Sequence, residues 1–255
     1  MGFVPTMGAL HAGHMKLVGE CRRECDLSVV SIFINPIQFG PGEDFTSYPR
    51  TLDRDAELCE RAGVDVLFVP EAAEFYSPDH ATYCEVEGFD RHLCGASRPG
   101  HFRGVCTVVL KLFNLVRPHR AYFGKKDIQQ AMILKKMTAD LSLDLEMVLV
   151  ETVREPSGLA LSSRNAYLSG EEKQRAASLY RGLLKARVLY QAGERNAENL
   201  KSVIRDEIDS PTRIDYVEIV SQSRLQPITS LDQPAVMALA VFYGKTRLID
   251  NVLIP

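Results

Sequence analysis

The sequence carries no surplus of basic charge. Its 30 Lys and Arg are outnumbered by 33 Asp and Glu, for a formal net charge of −3. Nucleic-acid binding rests largely on cationic side chains that displace counterions from phosphates, so this balance argues against a general DNA or RNA binder. Long apolar runs are missing as well. The longest, Ala235–Tyr243, falls far short of the roughly 20 residues that cross a bilayer as a helix. No C-x-x-C pair occurs among Cys21, Cys25, Cys59, Cys84, Cys94 and Cys106. Cysteines scattered singly through a chain of this length read as small buried hydrophobes, and a reducing cytoplasm is the simplest setting for them. A thiol nucleophile is the alternative and would need a neighbouring base. The start lacks a basic segment ahead of an apolar one, and His11 and His14 interrupt the stretch after it, so no secretory signal is visible.

What is present is close to the globular average. Hydrophobic residues make up 45% and charged residues 25% of 255, which excludes a disordered or collagen-like chain and allows one large domain or two modest ones. The first part alternates strand and helix patterns. Residues 27–34 are β-branched and nearly continuous, as in a buried parallel strand. Residues 51–62 follow as a helix, with Gly63 as its stop. The pattern continues with a strand over 65–69 ended by Pro70, a buried helix over 105–116 closed by Pro118, a strand over 121–123, a helix over 128–139 and a strand over 143–150. Such alternation predicts a doubly wound, Rossmann-like parallel sheet covered on both faces. Beyond it, one long helix over 171–192 and a second over 196–208 precede three β-rich runs at 214–220, 235–243 and 246–254. These predict a smaller C-terminal α+β domain. The expected domains are 1–152 and 153–255, with a mobile loop at 154–158 beside the boundary.

Ligands in a doubly wound sheet bind beyond the carboxyl ends of the strands. The first strand runs into Thr6-Met7-Gly8-Ala9-Leu10-His11-Ala12-Gly13-His14 and then a helix. Gly8 and Gly13 let the backbone approach a ligand closely, and a helix N-terminus suits phosphate. His11 and His14, three apart, can share a face there and donate to phosphate oxygens. The loop is neither a P-loop nor a dinucleotide fingerprint. Two surface histidines or two zinc ligands are the alternatives, and zinc would need a third ligand. The second strand ends in Asn35-Pro36-Ile37-Gln38, whose amides suit hydroxyl and carboxylate recognition or an ordinary polar turn. Gly124-Lys125-Lys126-Asp127 precedes a helix carrying Gln129 and Gln130; the lysines are phosphate contacts or a solvated pair. Leu161-Ser162-Ser163-Arg164-Asn165 can wrap a polyphosphate or simply cap a helix, and Arg98-Pro99-Gly100-His101-Phe102-Arg103 adds a basic glycine turn.

Taken together these segments resemble one family. The Thr6 to His14 run resembles the HIGH-type motif of the nucleotidyltransferase superfamily, and Leu161 to Asn165 resembles its KMSKS counterpart. With Asn35 to Phe39, Tyr48-Pro49-Arg50, Arg98 to Phe102, Phe123 to Asp127 and Thr246 to Asn251 in order, the chain resembles the pantothenate synthetases over essentially its whole length. The resemblance implies an ATP-dependent ligase that joins pantoate and β-alanine through a pantoyl adenylate, releasing AMP and pyrophosphate, with Mg²⁺, in a cytoplasmic homodimer. It implies no nucleic-acid or membrane partner and no protein metal ligands. It places Met7, Gly8, Ala9, Leu10, His11, Ala12, Gly13, His14, Gly124, Lys125, Lys126, Asp127, Val153, Leu161, Ser162, Ser163 and Arg164 at ATP. Gln38, Gln130 and Asn35 are placed at substrate, and His14, with His11, Lys126 and Arg164, in catalysis. Lys125 and Leu161 depart from the glutamate and methionine that many relatives carry there. A nucleotidyltransferase that keeps its nucleotide on the product, and a non-catalytic nucleotide-binding module, are the competing readings. The first strand also looks short at Gly2 to Pro5, with no helix before it. The expectation is therefore a chain begun at an internal methionine, or truncated from a longer one.

Overall fold

Phe3 and Val4 are neighbours in the sequence, and both are wholly buried. A strand achieves that only when both of its faces are covered. They lie in β1 (Gly2–Thr6), the middle strand of a sheet that the computed structural model, which describes residues 1–255, orders as β3-β2-β1-β4-β5. In chain order the elements are β1, α1 (Ala12–Glu24), β2 (Ser28–Ile32), α2 (Leu52–Arg61), β3 (Val66–Phe68), α3 (Ala72–Phe75), α4 (Cys94–Ser97), α5 (His101–Val116), β4 (Arg120–Gly124), α6 (Ile128–Asp140) and β5 (Glu146–Val150). They continue with α7 (Gly170–Ala176), α8 (Ser178–Gln191), α9 (Ala197–Glu207), β6 (Arg213–Ser221), β7 (Ala235–Tyr243) and β8 (Thr246–Ile254). None of the helices is long and apolar enough to cross a membrane.

The chain divides into two units. The first is Met1–Glu87, Arg98–Lys125 and Gln130–Thr152; the second is Gly88–Ser97, Lys126–Gln129 and Val153–Pro255. In the first unit all pairings are parallel. Val4, Val30 and Tyr122 meet Leu17, Val18 and Cys21 of α1 and Cys59 of α2 on one face. On the other, Phe113 of α5 lies edge-on to Phe3 and Phe123, with ring centroids 6.4 and 6.3 Å apart. A Cβ on Gly2 would stand 2.4 Å from Cys21 Sγ, so the bare glycine lets α1 approach β1. Burial, the largest influence on the Cys21 thiol, pushes it up to about 12, as suits a packing group rather than a nucleophile. The five residues of β1 pair with β2 throughout, and the Met1 carbonyl accepts from His119 N and Arg120 N at 2.9 and 3.3 Å. The strand order reverses around β1 and β4, which makes the carboxyl end of β1 the switch point of the sheet.

In the second unit β6, β7 and β8 form an antiparallel sheet whose inner face packs Val217, Met237, Leu239, Val241 and Val252 with Leu179 and Leu183 of α8 and Leu200 and Ile204 of α9. Two expectations need correction here. The long helix over 171–192 is broken at Ala177. The Tyr243 hydroxyl donates to Arg175 O at 3.3 Å and the Arg181 N to Ala177 O bond stretches to 3.5 Å, a side chain entering the helical ladder. The loop expected to be mobile is a stapled hairpin. Glu155 N donates to Leu159 O at 2.8 Å, Leu161 N to Val153 O at 2.9 Å, and Arg154 pairs with Asp250. Its Pro-Ser-Gly tip is a turn inside that staple, where composition alone suggested slack.

Candidate active site

Beyond Thr6 the chain turns left-handed at Gly8 (φ +80°) and Ala9 (φ +50°). A Cβ on Gly8 would meet Ile32 Cγ2 at 3.0 Å and Asp55 Oδ2 at 3.1 Å. Asp55, wholly buried on α2, holds the turn: its two oxygens accept from Ala9 N and Leu10 N, each at 2.8 Å, and Oδ2 also accepts from Thr51 Oγ1 at 3.1 Å. The turn delivers His11 to the N-cap of α1 and His14 to its third position. His11 Nδ1 accepts from Gly13 N at 3.1 Å, and His14 Nδ1 accepts from His11 N at 3.4 Å. The ring centroids lie 4.1 Å apart. An Nδ1 that accepts puts the hydrogen of the neutral imidazole on Nε2. Both rings are thereby set as Nε2–H donors at a helix N-terminus whose first turn has no acidic residue.

A second group forms where β2 ends. Asn35 is buried, and its Nδ2 donates to Gln38 Oε1 and Gly104 O at 3.0 and 3.1 Å, while Oδ1 accepts from Tyr76 OH at 2.8 Å. Its amide is therefore spent on orienting Gln38, whose Nε2 lies 3.0 Å from Met7 Sδ. The Gln38 carbonyl is joined to His101 Nδ1 at 2.8 Å, and His101 Nε2 to Arg98 Nη1 at 2.9 Å. Arg98 in turn binds Glu43 through Nε and Nη2 at 2.7 and 2.6 Å. Burial alone would raise the Glu43 carboxyl, but the paired guanidinium prevails and holds it below its usual range. α5 reaches this segment only because residue 104 is glycine: a Cβ there would fall 2.4 Å from Ile37 O.

The paired glutamines of α6 separate by geometry. Gln129 is satisfied at both ends, accepting from Cys94 N at 2.9 Å and donating to Phe89 O and His92 O at 3.0 and 2.8 Å. Gln130 is half-buried, and its side-chain amide, unlike that of Gln129, is not tied to another group of the chain, the condition of an amide available to a ligand. Lys125 pairs with Glu151. In the second unit, Lys126 lies 3.6 Å from Asp127 Oδ1, and its carbonyl accepts from Asn251 Nδ2 at 2.8 Å. Val153 and Leu161 are bonded across the hairpin neck. Ser162 caps the short turn Ser163–Tyr167 by accepting from Arg164 N at 3.3 Å. The first unit thus brings Met7, the histidine turn, Asn35 and Gln38 together, and the second gathers Lys126, Val153 and Leu161 to Arg164 around β8 and the hairpin. Asp55 and Tyr76 were not singled out from the sequence, and Asp250 entered only as part of the Thr246 to Asn251 segment. Asp55 had a signal: it stands four residues before the buried Cys59 and so takes a core position on α2 with a charged side chain.

Residues 1–253 match the model of the pantoate-beta-alanine ligase family. The chain belongs to that family. Members of the pantoate-beta-alanine ligase family similar to it include the pantothenate synthetase of Pseudothermotoga lettingae, 53% identical over 100% of this chain and 91% of that protein. That of Syntrophus aciditrophicus is 54% identical over 98% and 88%. Among solved structures, pantothenate synthetase from Thermus thermophilus superposes with a TM-score of 0.95 at 47% identity, covering 98% of this chain and 92% of that one. The pantoate-beta-alanine ligase of Francisella tularensis, solved as a complex with beta-gamma ATP and β-alanine, gives 0.80 at 36% identity over 99% and 88%.

Proposed function

We propose that the chain condenses pantoate with β-alanine at the expense of ATP. A pantoate carboxylate oxygen attacks the α-phosphorus, an O–P bond forms, and pyrophosphate leaves with the electrons of the broken P–O bond. The β-alanine amine then attacks the adenylate carbonyl, the C–N bond forms, the amine proton is lost, and AMP departs. The carrying observation is the locked histidine pair. Two Nε2–H donors fixed by the backbone need no reorganisation as charge builds on the phosphoryl oxygens and the leaving pyrophosphate, and one such donor is worth roughly 2.7–4 kcal/mol in a barrier. His14 serves as proton donor beside His11. Met7 to His14, Gly124 to Asp127, Val153 and Leu161 to Arg164 are assigned to ATP, with Lys126 and Arg164 offsetting the repulsion between two anions. Gln38 and Gln130 hold pantoate, and Asn35 sets Gln38. The assigned domains are residues 1–152 for ATP and pantoate and 153–255 as a smaller lid.

No three His, Cys, Asp or Glu side chains converge to hold a metal ion. This reading includes Mg²⁺ as an ion that would accompany ATP and neutralise part of its charge. A cytoplasmic homodimer is the assembly that this reading includes. The reading is tested by incubating the chain with ATP, Mg²⁺ and pantoate, with and without β-alanine. AMP is expected to accumulate only with both substrates; equal AMP from an unrelated carboxylic acid would remove the assignment. A finer test is Gln130→Ala. It should weaken pantoate by about 1–3 kcal/mol through a lost hydrogen bond while leaving ATP nearly unchanged. Calorimetry giving equal losses for both ligands would contradict the role.

A further inference from the structure

β8 lays Leu248, Val252 and Ile254 on the apolar core of the second unit. Asp250 stands in the same row, 4% exposed. Packing alone calls for an aliphatic side chain there. The acid instead takes Arg154 in a two-pronged grip, with Nη1 to Oδ2 at 2.6 Å and Nη2 to Oδ1 at 2.8 Å. Arg154 also donates to Gly158 O at 3.1 Å, and its guanidinium carbon lies 3.5 Å from the Tyr180 ring centroid. It is thereby fixed within the hairpin that carries Val153 and Leu161. The next residue, Asn251, gives its backbone N–H to Asp250 Oδ1 at 2.8 Å and its Nδ2–H to the Lys126 carbonyl at 2.8 Å. Strand residues alternate in direction, so consecutive positions reach opposite sides. Two neighbours on one strand thus hold two segments that are distant in sequence and both assigned to ATP.

A buried ion pair is a poor device for stability alone, because apolar residues of similar volume commonly do as well. The Thr246 to Asn251 motif also carries no ligand assignment. We infer that Asp250 and Asn251 are positioning residues for the nucleotide. Asp250 sets the backbone at Val153 and Leu161 through Arg154, and Asn251 sets Lys126 through its carbonyl. The inference rests on the ATP assignment above.

The test uses the full chain, with calorimetry for ATP–Mg²⁺ and for pantoate, thermal melts and steady-state kinetics. The double variant Arg154→Met with Asp250→Leu replaces the ion pair by apolar groups. It is expected to melt within a few degrees of the parent yet bind ATP at least tenfold more weakly, with the pantoate Kd within twofold. Should it fail to fold, Asp250→Asn, which keeps the shape and removes the charge, is expected to show the same split. Asn251→Asp loses the donor to Lys126 and should lower kcat at least tenfold at saturating substrates, again with pantoate binding intact. ATP affinity within twofold of the parent in a folded Arg154 and Asp250 variant, or equal losses for ATP and pantoate, would overturn the inference. So would a normal kcat in Asn251→Asp. A parent chain that bound no ATP would overturn the functional reading itself, which the wild-type titration separates from failure of the clamp.

Discussion

His14→Asn is expected to lower turnover by about 10²–10³-fold with saturating ATP, on the scale of a lost transition-state donor, while the melting temperature barely moves. The reasoning is atomic. His14 does two jobs with two nitrogens: Nδ1 accepts from His11 N and closes the first turn of α1, and Nε2 carries the hydrogen. An asparagine oxygen can take the place of Nδ1 and preserve the cap, but nothing then stands where Nε2–H stood. His14→Ala removes both functions, so it should show the same kinetic loss plus a stability loss of about 1 kcal/mol from the broken cap. His14→Gln restores an N–H near the Nε2 position. It should recover part of the activity if the group acts by hydrogen bonding, and none if it must release a proton. Lys126→Ala should fall in the same range as His14→Ala. Near-normal turnover in His14→Asn, with the variant folded, would reduce His14 to a helix cap.

The parallel sheet was legible because its inner strands β1, β2 and β4 are largely buried and its strands carry short apolar runs, and because Gly63 and Pro118 punctuate helix ends. β7 was legible for the same reason, as an unbroken apolar run that is almost wholly buried. Boundaries shifted where a single conformation decides them. Gly100 in a left-handed N-cap starts α5 at His101 rather than at residue 105, and Ser142 at φ +50° delays β5 to Glu146. The histidine turn and the amides at Asn35 and Gln38 stood out in the sequence because polar groups there interrupt apolar strands. What pattern reading could not supply was the partner of each. That Asn35 spends its amide on Gln38, Gly104 and Tyr76, that Gln129 is satisfied and Gln130 is not, and that Asp55 anchors the turn are facts of tertiary distance. The break at Ala177 has the same origin, since Tyr243 comes from a strand far along the chain.

Asp55 carries the other large expectation, and the effect is indirect. Its two oxygens divide the work, Oδ1 accepting from Leu10 N and Oδ2 from Ala9 N and Thr51 Oγ1. Asp55→Asn keeps one acceptor and turns an NH₂ toward the other backbone N–H, leaving two donors face to face in a buried place. An unpaired buried donor costs about 1–3 kcal/mol, and a left-handed alanine adds about 1–3 kcal/mol of strain that the surroundings must hold. The turn through Ala9 should therefore relax, carrying His11 and the start of α1 with it. Misplacement by about 1 Å near reacting groups can cost roughly 10²-fold, so kcat should fall by about that factor. The melt should drop by roughly 2–4 °C per kcal/mol lost. Thr51→Val is the control: it deletes one hydroxyl bond and leaves both N–H contacts, so turnover should stay within a few-fold. Hydrogen exchange at Ala9 and Leu10 reads the cause directly and should accelerate in Asp55→Asn before the rest of the sheet opens. Full turnover by folded Asp55→Asn, or exchange at those two amides unchanged, would mean that the turn keeps its shape without the carboxylate.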